Sequence, residues 1–104
     1  MRTKRNRPAL TRGLLGRMAE ALKVLGHADR LAILDAIASV GEAPVHGIVE
    51  AVGLPQGTTS MHLNKMRVAG LLAAERRGRE VWYRVSDPHA VTILDCIRKK
   101  ARNA

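Results

Sequence analysis

The stretch that decides the fold runs from residue 45 to 69: Val45-His46-Gly47-Ile48-Val49-Glu50-Ala51-Val52-Gly53-Leu54-Pro55-Gln56-Gly57-Thr58-Thr59-Ser60-Met61-His62-Leu63-Asn64-Lys65-Met66-Arg67-Val68-Ala69. Val45, Ile48, Val49 and Val52 recur at helical spacing and give a first short helix one apolar face. Gly53 stops that helix, because glycine accepts the left-handed cap, and Pro55 lacks the N–H that would continue it. A second helix is expected from about Gln56, burying Leu63 and Met66. That leaves Thr58, Ser60, Met61, His62, Asn64 and Lys65 for its outer face. Short hydrogen-bonding side chains with few acids suit a helix laid in a DNA major groove. The stretch reads as a helix-turn-helix.

Outward from this centre, the charge is unevenly placed. The 104 residues carry a formal charge of +9. Residues 1–19 contain Arg2, Lys4, Arg5, Arg7, Arg12 and Arg17 and no acid, whereas residues 20–55 contain more acids than bases. Positive charge returns with Lys65, Arg67, Arg76, Arg77, Arg79 and Arg84, and again at Arg98, Lys99, Lys100 and Arg102. Cations that avoid the middle and gather on and after the second helix are the footprint of a polyanion-binding protein.

The chain length implies one domain, and with 2% aromatic residues its core must be aliphatic. No apolar run approaches the roughly 18 residues of a membrane span, and the basic N-terminus has no apolar segment behind it, so neither a membrane anchor nor a secretory signal is expected. The single cysteine, Cys96, allows no internal disulfide and fits a reducing cytoplasm. The expected location is cytoplasmic.

Residues 1–7 are polar and basic and are expected to be a disordered arm, either inert or touching phosphates or a minor groove. Residues 8–104 then form the folded domain. A helix is expected from Pro8, with Leu10, Leu14, Met18, Ala21, Leu22 and Leu25 along one stripe up to Gly26. The next helix opens at His27-Ala28-Asp29-Arg30, with Asp29 as cap or first-turn acid, and buries Leu31, Leu34, Ile37 and Ala38. Arg30 has Asp29 or a DNA phosphate within reach, but such an arginine is more often a solvated or locally paired side chain. Glu42-Ala43-Pro44 is expected to be a plain connector.

Beyond Gly70, the segments from Leu71 to Arg77 and from Glu80 to Val85 flank Gly78. Val81, Tyr83 and Val85 alternate with Trp82 and Arg84, the period-two pattern of a half-buried strand. A hairpin with arginines at its tip beside a recognition helix is a wing, and Arg77 and Arg79 are expected over phosphates or the minor groove. Ser86-Asp87-Pro88 caps a last helix whose apolar positions, Ala90, Val91, Ile93, Leu94, Ile97 and Ala101, are more than one core face requires. With the stripe of the first helix, they suggest a homodimer interface. The fold class expected is mainly α with a small β-hairpin, a winged helix-turn-helix in the order α-α-α-α-β-β-α.

That order and four motifs resemble the ArsR/SmtB family of bacterial winged-helix repressors. Leu25-Gly26-His27-Ala28-Asp29-Arg30-Leu31-Ala32-Ile33-Leu34 is similar to the family's Leu-Ala-Asp-x-Thr-Arg-Leu-x-Ile-Leu, departing at the threonine. The segment from Leu54 to Leu63 resembles Leu-Ser-Gln-Ser-x-x-Ser-x-His-Leu. The segment from Met66 to Leu72 resembles Leu-Arg-x-Ala-Gly-Leu-Val, and that from Arg76 to Val85 resembles Arg-x-Gly-Arg-x-Val-x-Tyr-x-Leu.

The resemblance implies a repressor that binds double-stranded DNA as a homodimer through its first and last helices, on an imperfect inverted repeat. The two recognition helices would then enter successive major grooves about 34 Å apart. Thr58, Ser60, Met61, His62 and Asn64 become the groove-facing candidates, with His62 alternatively packed beneath the helix. Gln56, Gly57, Lys65, Arg77 and Arg79 become the phosphate contacts.

Family members release DNA when a metal or an oxidant binds, and here the sequence departs from them. The cysteines of the third-helix metal motif, Glu-Leu-Cys-Val-Cys, are replaced by Pro44 and His46. On the last helix His89, Asp95 and Cys96 do not make the required pattern, since His89 lies two turns from the other two, too far to share a metal without a partner chain. No metal and no cofactor is expected, and Cys96 is expected to be an inert, buried small residue. The inducer is not legible.

Three other functions compete. A metal- or thiol-responsive sensor would use His, Asp and Cys96 at the dimer interface, and an architectural protein would bind DNA without reading sequence. An enzyme is not expected, since the chain has no glycine-rich phosphate loop, nucleophile–base pair or paired carboxylates.

Overall fold

The computed structural model describes residues 7–103. The expected N-terminal arm, Arg7 excepted, lies outside them. The element order is α1 (Arg12–Leu25), α2 (Ala28–Val40), β1 (Glu42–Pro44), α3 (Val45–Val52), α4 (Gln56–Val68), β2 (Leu72–Arg77), β3 (Glu80–Val85) and α5 (Pro88–Arg102). Five helices carry a three-stranded antiparallel sheet of order β1-β3-β2. The mainly helical winged helix-turn-helix is present, with one strand more than the sequence pattern indicates.

That strand is β1, expected to be a connector. Glu42, Ala43 and Pro44 pair with Arg84, Tyr83 and Trp82. Proline is tolerated there because β1 is an edge strand, where a missing donor breaks no ladder.

α1 begins at Arg12 rather than Pro8, because Thr11 stays extended and its hydroxyl accepts the Leu14 N–H at 3.1 Å. A threonine N-cap satisfies an otherwise orphaned helix donor, which proline cannot do. At α2 the cap is His27, whose ring Nδ1 accepts the Asp29 N–H at 3.2 Å, and Asp29 falls in the first turn.

α2 is the core. Ile33, Leu34 and Ile37 are wholly buried, while Leu31 and Ala38 pack partly buried around them. Ile33, which the four-residue stripe omits, is central because α2 is covered on several sides, by α1, α3, α4, α5 and the sheet. A helix that is apolar around most of its circumference is one surrounded by protein. Ile48 of α3, Leu63 and Met66 of α4, Leu71 and Leu72, and Ala90 and Leu94 of α5 complete this aliphatic cluster.

The turn between α3 and α4 follows the sequence pattern. Gly53 adopts φ 73° and ψ 22° and donates to the Val49 carbonyl at 2.9 Å, closing α3 in the left-handed region that other residues resist. α4 ends with Leu71 N–H on Met66 O and Gly70 N–H on Arg67 O, both at 3.0 Å. α5 is capped by Asp87, which accepts the His89 N–H at 3.0 Å.

Candidate nucleic-acid interface

α4 is anchored by a stripe at positions 59, 62, 63 and 66. Thr59 and Leu63 are fully buried, as is Met66, and His62 is 3% exposed. The Thr59 hydroxyl donates to the Pro55 carbonyl at 3.0 Å, so this buried polar group is satisfied within the helix's own first turn. On the far side Gln56, Gly57, Ser60, Met61, Asn64 and Lys65 are exposed, and Thr58 is half-buried at the edge. The Asn64 side-chain oxygen accepts Arg67 Nη2 at 2.8 Å, which brings Arg67 onto the same face. Arg67 was not among the residues singled out from sequence, although its three-residue spacing from Asn64 is the signal for such a pair.

His62 departs from the groove-facing expectation and packs beneath the helix. Its Nδ1 accepts Arg30 Nε at 3.0 Å, and Arg30 Nη1 reaches the Val24 carbonyl at 3.2 Å. Arg30 therefore pairs not with Asp29 but with His62 and the Val24 carbonyl, and ties the end of α1 to the recognition helix. The His27 ring stands edge-on to the His62 ring, with centroids 4.8 Å apart. Burial, then the charge of Arg30, holds the His62 pKa below its ordinary value. The ring is thereby kept neutral, with Nδ1 as an acceptor.

In the wing, strand alternation separates the arginines. Glu75, Arg77, Glu80 and Trp82 share one face of the sheet, together with Glu42 and Pro44 of β1. There Arg77 Nη2 contacts Glu42 at 2.9 Å and Glu75 at 2.8 Å, and its guanidinium carbon stacks 4.7 Å above the Trp82 ring. The hydrogen bonds that Arg77 donates to Glu42 and Glu75 raise its pKa, and the bond from Arg77 lowers that of Glu42. Arg77, expected over phosphates or the minor groove, is here paired with these two carboxylates. The two-residue tip is Gly78, at φ 63°, and Arg79. Glycine first in a two-residue loop gives the twist that matches the flanking strands. Arg79 is exposed and makes no ion pair among the described residues. Arg76, on the opposite face from Arg77, is also exposed, and its Nη1 lies 3.4 Å from the Gly78 carbonyl.

Two of the positions compared with known metal motifs have side-chain partners. His46 pairs with Glu80 at 2.8 Å, and His89 Nδ1 lies 3.1 Å from Asp87. Cys96 is exposed, not buried as expected, because the inward side of α5 is filled by Ala90 and Leu94. Of the described residues, His27, Asp29 and His62 gather three metal-type donor atoms within 4.8 Å of one another. In the sequence 35 residues separate the two histidines, so no local spacing marks the cluster.

The chain's relatives carry this architecture. A family profile described as "Bacterial regulatory protein, arsR family" matches residues 27–74, from the α2 cap into β2. The HTH-type transcriptional repressor SmtB of Mycobacterium tuberculosis is 35% identical over 94 residues, covering 89% of this chain and 69% of the relative. The antimony-specific transcriptional repressor AntR superposes with a TM-score of 0.81 at 29% identity, over 94% of this chain and 91% of that one. The homodimeric winged helix-turn-helix DNA-binding domain of Mb0332 from Mycobacterium bovis gives a TM-score of 0.74 at 28% identity, over 92% and 91%. The buried stripe under α4, the polar face above it and the hairpin wing thus occur in a chain that belongs to the ArsR family of bacterial regulatory proteins, a winged helix-turn-helix transcriptional regulator.

Proposed function

We propose that this regulator represses transcription by binding, as a homodimer, an imperfect inverted repeat in double-stranded DNA. The observation that supports this most directly is the outer face of α4. Gly57, Ser60, Met61 and Asn64 are exposed together on a helix whose opposite side is locked by Thr59, His62, Leu63 and Met66. Thr58, Ser60, Met61 and Asn64 are the base-reading candidates. Gln56 and Gly57 lie at the helix N-terminus, where backbone donors and the helix dipole favour phosphate, and Lys65 and Arg67 add cationic contacts. In the wing the phosphate contacts fall to Arg76 and Arg79, while Arg77 positions the hairpin.

The dimer is proposed to form through α1 and α5. Leu15 and Leu22 on α1 are 43% and 52% exposed, and Ile97 on α5 is 46% exposed. Exposed leucine and isoleucine side chains on the first and last helices are the composition of surfaces awaiting a partner. No helix of the described residues is long and apolar enough to cross a membrane.

The test is fluorescence anisotropy with duplexes tiled from the DNA upstream of the regulator's own gene, against scrambled duplexes of equal length. A preference of roughly 10³-fold or more for one inverted repeat is expected. A preference below about tenfold would instead describe a sequence-tolerant architectural protein. Ser60→Ala and Asn64→Ala should each lower specific affinity about tenfold and leave non-specific affinity unchanged. Equal losses on both DNAs would remove them from base reading.

A further inference from the structure

We propose that His27, Asp29 and His62 form a divalent transition-metal site joining the start of α2 to the recognition helix, and that metal binding there and the Arg30–His62 hydrogen bond exclude each other. The linkage to DNA rests on the function proposed above; the site itself does not.

Three observations carry the site. One donor atom from each of the three residues lies within 4.8 Å of the other two, His27 and Asp29 from the start of α2 and His62 from α4. Their burial grades from exposed His27 through half-buried Asp29 to buried His62, so the cluster opens to solvent on one side. The Asp29 carboxylate makes no ion pair and no side-chain hydrogen bond among the described residues, although Arg30 follows it directly. Two imidazoles and one carboxylate are a donor set for zinc, cobalt or nickel, and three protein ligands leave a position for water or an exchanging ligand. Tetrahedral zinc, with Zn–N about 2.0–2.1 Å, needs its ligands roughly 3.4 Å apart. The remaining contraction falls to His27 and Asp29, whose side chains have room to move.

The exclusion follows from the imidazole itself. His62 Nδ1 accepts the Arg30 Nε–H at 3.0 Å and must therefore hold a lone pair there. A neutral imidazole has one lone pair in the ring plane. If the metal takes Nδ1, Arg30 is displaced directly. If it takes Nε2, the ring proton moves to Nδ1, and Arg30 faces a donor instead of an acceptor. In both cases the bond that ties α2 to α4 is lost, and a cation in the cluster also repels the guanidinium. His27 meets the same constraint, since its Nδ1 caps the Asp29 N–H. Metal binding thus exchanges the Arg30–His62 tie for a coordinate link from the start of α2 to α4 and reseats that helix, and by reciprocity operator binding that needs the Arg30-held seat weakens the metal.

The experiment titrates chelator-treated full-length protein with Zn(II) against a chromophoric zinc indicator. His27→Asn is the main variant, because asparagine still caps the helix while the imidazole is removed. Wild type should bind one Zn(II) per protomer. His27→Asn and Asp29→Ala, checked for folding by circular dichroism, should bind at least tenfold more weakly, and His89→Ala should match wild type. No stoichiometric Zn(II) binding overturns the site, as does binding lost in His89→Ala or Cys96→Ser and intact in His27→Asn. Operator affinity is then read with and without Zn(II). It should fall at least tenfold in wild type and stay level in His27→Asn. A zinc-loaded cluster with unchanged operator affinity overturns the linkage. Protein that prefers no operator, with or without zinc, overturns the function while the stoichiometry still decides the site.

Discussion

Arg30 Nε donates to His62 Nδ1 across 3.0 Å, and the same guanidinium reaches the Val24 carbonyl at 3.2 Å. One side chain on α2 thereby holds the end of α1 and the underside of α4. Replacing Arg30 by methionine keeps most of the volume and leaves both acceptors without a donor. An unfolding free energy lower by about 1–3 kcal/mol is expected, read as a lower urea midpoint with unchanged slope. A midpoint equal to wild type would mean that water replaces Arg30 at both acceptors.

The two wing arginines that sequence treats alike should behave differently. Arg79→Ala should lower the slope of log affinity against log salt by ~0.9, the signature of one lost phosphate contact. Arg77→Ala should leave the slope near wild type, because Glu42 and Glu75 already neutralise that cation. Equal slope changes in the two variants would show that Arg77 leaves its carboxylates when DNA arrives.

The same cluster makes a pH prediction. The hydrogen bond from Arg77 lowers the Glu42 pKa below its ordinary 4.5. Since the folded value lies below the unfolded one, the unfolded chain takes up the proton first as pH falls. The contribution is therefore complete above about pH 4.5 and disappears as pH drops through the lower, folded value. Urea midpoints from pH 6 to 3 should fall less steeply in Glu42→Gln than in wild type. Parallel curves would leave Glu42 without a role in acid sensitivity.

If α1 and α5 build the dimer, a charge at their exposed apolar positions should separate the protomers. Leu22→Glu or Ile97→Glu should run as a monomer in light scattering at micromolar concentration, with the helical circular dichroism retained. Specific operator affinity should fall with it, since each half-site would then be bound alone. Dimers that persist in both variants would place the interface elsewhere.

The helix-turn-helix was legible because Gly53 and Pro55 punctuate it and apolar residues mark the faces on either side. The orientation of His62 was less so. Counting only the apolar Leu63 and Met66 leaves the buried stripe half drawn; Thr59 and His62 complete the 59-62-63-66 spacing, and both are polar residues buried through hydrogen bonds. Strand β1 was missed because three residues carry no measurable period and one of them is proline. The fate of Arg77 depends on Glu42, 35 residues earlier, which reaches it only through the β1–β3 pairing. Alternation along β2 does separate Arg76 from Arg77 in the sequence itself, but it does not say which face holds the acids.

Pro44 is at once the last residue of β1 and the N-cap of α3. The strand that edges the wing's sheet therefore passes into the helix-turn-helix with no free residue between them. The sheet that carries the hairpin and the first helix of the helix-turn-helix are thereby set on one frame. At that junction there is no hinge by which the sheet could swing against α3 to fit a duplex of another groove width. Any mismatch is taken up by bending or twisting the DNA, so operator choice should follow how readily a sequence deforms between hairpin and recognition helix as well as which bases α4 touches.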